Sequence, residues 1–123
     1  MFLFALARGE KPLRFRGSSF ADYSSFPFEI IREAGFQLNL VQFGLDPSDW
    51  KPMTSVGRGV AEIRLRDAEG IYRVFYVARF AEAIYVLHAF EKTTQKTDKK
   101  DIELGKSRLS ELLAQRKEQG YDG

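Results

Sequence analysis

The residues of this chain that could do chemistry are mostly cations. Arg64, Arg73, Arg79, His88, Lys92 and Lys96 fall within one strand-like stretch, Arg58 to Lys96. Such a set suits binding of a polyanion, and it can stabilise negative charge developing at a phosphate in a transition state. The same residues also read as a solvated strand face, since charged surfaces are ordinary in soluble domains. Arg73 fits that second reading least. It lies among Tyr72, Val74, Phe75 and Tyr76, and His88 lies between Leu87 and Phe90. A charged side chain in an apolar run needs a partner or a ligand.

Other chemistries are closed. The chain has no cysteine, which removes disulfides, thiolate metal sites and cysteine nucleophiles together. Its single histidine rules out a histidine-cluster metal site within one chain. There is no Walker loop, dinucleotide fingerprint or metal-ligand spacing. Gly57-Arg58-Gly59 has the look of a phosphate loop, but no helical pattern follows it, so it reads as a strand-entry turn. The net charge of +2 and pI near 8.9 are only mildly basic. Placement matters more than the total, and four lysines face two acids between Glu91 and Lys100.

The elements around these cations follow from periodicity. At 123 residues the chain is one domain, large enough to bury a core without staples. Met1–Ala7 is apolar but too short for a membrane span, and it lacks the flanks of a signal peptide. Residues 1–10 read as a flexible leader or an apolar edge strand, and 118–123 as a frayed tail. Lys11–Arg16 alternates like a short strand, and Ser18 or Ser19 can cap a short helix to Tyr23. A helix is expected from Phe26-Pro27 to about Phe43, ended by Gly44, with Phe28, Ile31, Gly35, Leu38 and Gln42 on one face. Leu45–Pro52 reads as a loop, with Trp50 as core anchor.

Three strands follow. Val60–Arg66 alternates Ala61, Ile63 and Leu65 against a charged face of Glu62, Arg64 and Arg66. A turn at Asp67–Gly70, with positive φ expected at the glycine, leads to Tyr72–Arg79, and Ala83–Phe90 comes third. The last two are apolar on both faces and belong in the middle of the sheet. A helix capped by Thr97 or Asp98 runs to about Lys117, with Ile102, Leu109, Leu112 and Leu113 as its stripe. The fold class is therefore α+β: a small antiparallel sheet, a three-stranded meander plus a short N-terminal strand, packed with two N-terminal helices and a C-terminal one.

Several runs carry a resemblance: Trp50-Lys51-Pro52, VGRGVAEIR (56–64), YRVFYVA (72–78), VLHAFEKTTQKT (86–97) and DIEL (101–104). Together they resemble the phage-derived, HigB-like branch of the RelE/ParE superfamily of toxins, over roughly Leu13 to Leu113. The resemblance implies a RelE-like fold and a ribosome-dependent mRNA endonuclease, with 2′-hydroxyl attack on the adjacent phosphate and neither metal nor cofactor. It implies a cytoplasmic protein whose partners are a helix-turn-helix (HigA-like) antitoxin, the ribosome and mRNA, with no membrane.

By position it makes Arg73, Arg64 and Lys92 catalytic cations, and Lys51, Arg58 and Lys96 RNA contacts. His88 becomes either a proton-transfer group or a satisfied core histidine. Thr93 stands where the family commonly has a second lysine. That departure leaves room for a weakened homologue that only binds its antitoxin. A ParE-like toxin that binds gyrase is the other alternative on this fold.

Overall fold

The computed structural model describes residues 9–92 and 98–121. The opening apolar run, Thr93 and Lys96 lie outside the described residues. The elements are β1 (Leu13–Phe15), α1 (Ser19–Ser24), α2 (Phe28–Gln42), β2 (Trp50–Pro52), β3 (Val60–Arg66), β4 (Ile71–Val77), β5 (Ile84–Lys92) and α3 (Lys99–Glu118). The class is α+β, as expected.

The sheet is larger than expected. It has five strands in the order β1-β5-β4-β3-β2. The antiparallel meander β3-β4-β5 lies at its centre, but β1 pairs with β5 in parallel, so the sheet is mixed. The expected loop at Trp50–Pro52 instead pairs with β3 as an edge strand. On that edge strand Trp50 remains 37% exposed rather than buried in the core.

One face of the sheet packs on α2. Alternation sends Ala61, Ile63, Leu65, Val74 and Val86 into a core with Ile30, Ala34, Leu38 and Val41. The buried stripe of α2 is thus rotated from the expected one, and Phe28 is 70% exposed. The small Ala34 lies fully buried at the centre of that stripe. Gly35 instead makes room for Tyr23, whose hydroxyl lies 3.3 Å from where a Cβ would stand and donates to the Ile31 carbonyl.

The other face packs on α3. Val60, Phe75, Val77, Leu87 and Phe90 form a second core with Leu109 and Leu112. Gly105 lets the helix approach, since a Cβ there would fall 2.9 Å from Val56 and 3.0 Å from Phe75. Leu113, expected in the stripe, is exposed. Asp101, Gly105 and Arg116 complete the buried side instead.

Two local details set the register. Asp67 Oδ1 accepts from the Glu69 and Gly70 amides at 2.8 Å, closing the β3–β4 turn. Gly70 does not take the positive φ expected of it. Its lack of a side chain matters because a Cβ would stand 2.8 Å from the Tyr72 hydroxyl. A bulge between β4 and β5 then shifts the register, pairing Phe75 with His88 but Tyr76 with Val86. The extra residue, Leu87, puts His88 on the α3 face.

Candidate functional site

The α3 face of the sheet carries three polar rungs that follow from register alone. One runs Lys51–Glu62–Phe75–His88, the next Arg64–Arg73–Phe90, and the third Arg66–Ile71–Lys92. Neighbouring strands lie about 4.8 Å apart, and like-facing residues along a strand about 7 Å apart. The expected site residues Lys51, Arg64, Arg73, Lys92 and His88 therefore share one face, to one side of the contact between α3 and the sheet. Arg58 does not join them. It stands ahead of β3, roughly 20 Å along the strand from Arg64 by strand rise.

Arg73 is 2% exposed, on the central strand. Its Nε lies 3.4 Å from Glu62 Oε1 but has no hydrogen-bond partner, while Nη1 donates to the Tyr72 carbonyl at 3.2 Å. Glu62, 1% exposed, is the carboxylate of this cluster. Lys92 is buried at the end of β5. Arg73 and Lys92 are thus two buried cations on the face that also carries the buried Glu62 carboxylate.

Burial pulls the Arg73 guanidinium below its ordinary pKa; Glu62 opposes the shift and Arg64 adds to it. Burial also lowers the Lys92 ammonium, with Arg73 and Lys51 adding to the effect and Glu62 opposing it. Around this core, Lys51 is exposed and the Arg64 side chain is about a third exposed, 3.9 Å from Asp49 Oδ1. An arriving anion meets these two first.

His88 occupies the far end of its rung. Its Nε2 lies 2.8 Å from Asp101 Oδ1, on the first turn of α3, and its ring stacks on Phe90 at 4.6 Å. Burial lowers its pKa more than Asp101 raises it, so the ring is held towards the neutral form. Nδ1 is buried without a hydrogen bond.

A third buried cation, Arg116, lies at the opposite end of the sheet. Arg116 donates to both oxygens of Glu82, at 2.7 and 3.1 Å, and Glu82 also accepts from the Tyr85 hydroxyl at 2.9 Å. Phe80 lies within 3.8 Å of the Arg116 guanidinium and 4.2 Å of that of Arg79. The Arg116 hydrogen bond pulls the Glu82 carboxyl down to about 2, and the same bond raises Arg116.

Sequence reasoning missed Glu62 and Asp101. Glu62 alternates with Arg64 and Arg66, which looks like a solvated face. The available signal was the need of Arg73 for a counter-charge. Among the described residues, no group of three or more His, Asp or Glu side chains could hold a metal ion, and no helix is long and apolar enough to cross a membrane.

One family model matches, that of the phage derived protein Gp49-like family (DUF891), over residues 21–110. The matched span runs from α1 into α3 and contains the whole cation face. No curated protein matches the chain.

Proposed function

The chain belongs to the phage-derived Gp49-like family, a family of RelE/HigB-like toxins, and from there we propose that it is a HigB-branch mRNA endonuclease held in check by a helix-turn-helix antitoxin. Its substrate is mRNA in the ribosomal A site, in the cytoplasm. The observation that supports this reading is the burial of two cations, Arg73 and Lys92, on the sheet face that carries the buried Glu62 carboxylate, 3.4 Å from Arg73 Nε.

In this reading the 2′-oxygen attacks the adjacent phosphorus, and the bond to the 5′-oxygen breaks. The products are a 2′,3′-cyclic phosphate and a 5′-hydroxyl. Arg73 supplies fixed charge to the phosphorane, in a low-dielectric place where charge counts most. Lys92, pulled below its ordinary pKa, gives a proton to the leaving 5′-oxygen more readily than a solvated lysine. Glu62 is the carboxylate within reach of these cations and accepts the 2′-hydroxyl proton. Lys51 and Arg64 bind flanking phosphates at the exposed rim. The buried Asp101 bond favours His88 as a tie between β5 and α3 over His88 as a proton carrier.

The burial of Arg73 and Lys92 also favours one rival, a homologue that binds its antitoxin without cutting RNA. Expression of the chain alone decides between them. The nuclease reading expects growth arrest with messages cut in frame, relieved by Arg73→Ala. Growth without arrest, with the antitoxin still bound, selects the binding-only reading. Arrest with intact messages and gyrase-cleaved DNA selects a ParE-like poison.

A further inference from the structure

A second group of cations lies away from the candidate site. A cavity of about 340 Å³ opens between β1 and the C-terminal half of α3, lined by Arg14, Arg16, Glu82, Tyr85 and Tyr121 among others. Arg14 lies on the edge strand β1 and Arg16 just past its end, and both line the cavity. The register of Arg14 with Tyr85 puts Arg14 on the α3 face, while Leu13 and Phe15 pack into the opposite core. Neither guanidinium makes an ion pair or side-chain hydrogen bond with another described residue.

The carboxylate in the lining does not neutralise them. Glu82 is committed to Arg116 on both oxygens and to Tyr85. The carbonyl end of α3 adds only about half a negative charge. The lining is therefore net positive, and one of its walls is the 43%-exposed ring of Tyr121. Two cations beside an exposed aromatic ring are the parts from which single-stranded nucleic-acid sites are built, cation for phosphate and ring for base. The volume sits at the lower end of small-ligand pockets.

We propose that this cavity is a second nucleotide-binding subsite, which takes a phosphate and its base from a single-stranded RNA away from the candidate cleavage face. Arg14 and Arg16 hold the phosphate and Tyr121 stacks on the base. The choice of RNA over another polyanion rests on the nuclease reading; the anion site itself does not.

Binding of a short labelled RNA, followed by fluorescence anisotropy across a salt series, tests it without any need for cleavage. Changing Arg14→Gln and Arg16→Gln together lowers the slope of log affinity against log salt by about 0.7, the value for one phosphate of a single strand. Tyr121→Ala weakens binding roughly 5-fold or more. Circular dichroism confirms that both variants fold. The same loss of slope in an Arg73→Ala background upholds the subsite even if the chain cuts nothing. An unchanged slope in the double variant overturns it. Equal competition by a mononucleotide overturns the strand assignment, and equal competition by polyglutamate overturns the RNA assignment.

Discussion

Arg73 and Arg116 are both buried arginines facing a buried or part-buried glutamate, yet their surroundings differ in kind. Arg116 meets Glu82 with two hydrogen bonds, and both partners are driven further into their charged forms. Arg73 meets Glu62 at 3.4 Å without a hydrogen bond from Nε, and the same carboxylate also acts on the charge of Lys92. There both cations are pulled towards neutrality. A completed pair holds a fold together; an incomplete one keeps electrostatic potential available for a ligand. The direction of the pKa shift, more than burial, separates the two uses of the same side chain.

The sharpest way to break that comparison is to remove one partner at each end. Glu62→Gln removes the buried carboxylate that opposes the pKa shifts of Arg73 and Lys92, and Arg116→Leu leaves Glu82 without its cation. Each is expected to cost about 3–5 kcal/mol in denaturant melts. Arg73→Met removes a cation whose Nε has no hydrogen bond, so it should cost less than about 1 kcal/mol while, on the nuclease reading, lowering RNA cleavage roughly 100- to 1000-fold. If Arg73→Met destabilises as much as Arg116→Leu, the two ends are alike and the distinction fails.

Acid sharpens the contrast next. Glu82 titrates near 2 folded against 4.5 unfolded. Its stabilisation is complete above 4.5 and is lost as pH falls from 4.5 through about 2. Glu82→Gln, compared with the parent by thermal melts across that range, should flatten this part of the profile. His88 acts in the same direction at higher pH. Its folded pKa lies below 6.5, so its contribution is complete above 6.5 and fades as pH falls below it. A parent profile already flat between 4.5 and 2 would show that the bidentate pair contributes no linked stability.

The smallest effect is expected at the rim. Arg64 lies 3.9 Å from Asp49 and is partly solvated, so Arg64→Gln should change stability by less than about 0.5 kcal/mol. In RNA binding it should remove about 0.7 from the salt slope. A larger loss of stability would place Arg64 with the structural pair rather than at an entrance.

How far the sequence disclosed this depends on the kind of signal. Arg73 was legible because a guanidinium inside Tyr72–Tyr76 contradicts an otherwise apolar strand. The meander and the two long helices were legible from period and caps. Glu62 was not, because alternation cannot tell a charge facing water from one facing two cations across a sheet. Trp50–Pro52 was not, because three residues with a proline have no period, and only pairing with β3 makes them a strand. The buried stripe of α2 was misplaced because Phe28 and Phe36 lie outside it while Ala34 lies at its centre. Side-chain apolarity alone does not say which face is packed. The parallel pairing of β1 with β5 depends on a partner far along the chain, and no local pattern carries that.

That parallel pairing also bears on how the molecule is made. The first strand leaves the ribosome early but has no edge to join until β5 exists, and the Lys11 ammonium bonds the Ala78 carbonyl 67 positions on. The opening strand is thus fitted late, after the loop-closure cost of a long-range contact has been met. Until then the chain presents β5 with a bare edge, to which an extended segment of another molecule can add.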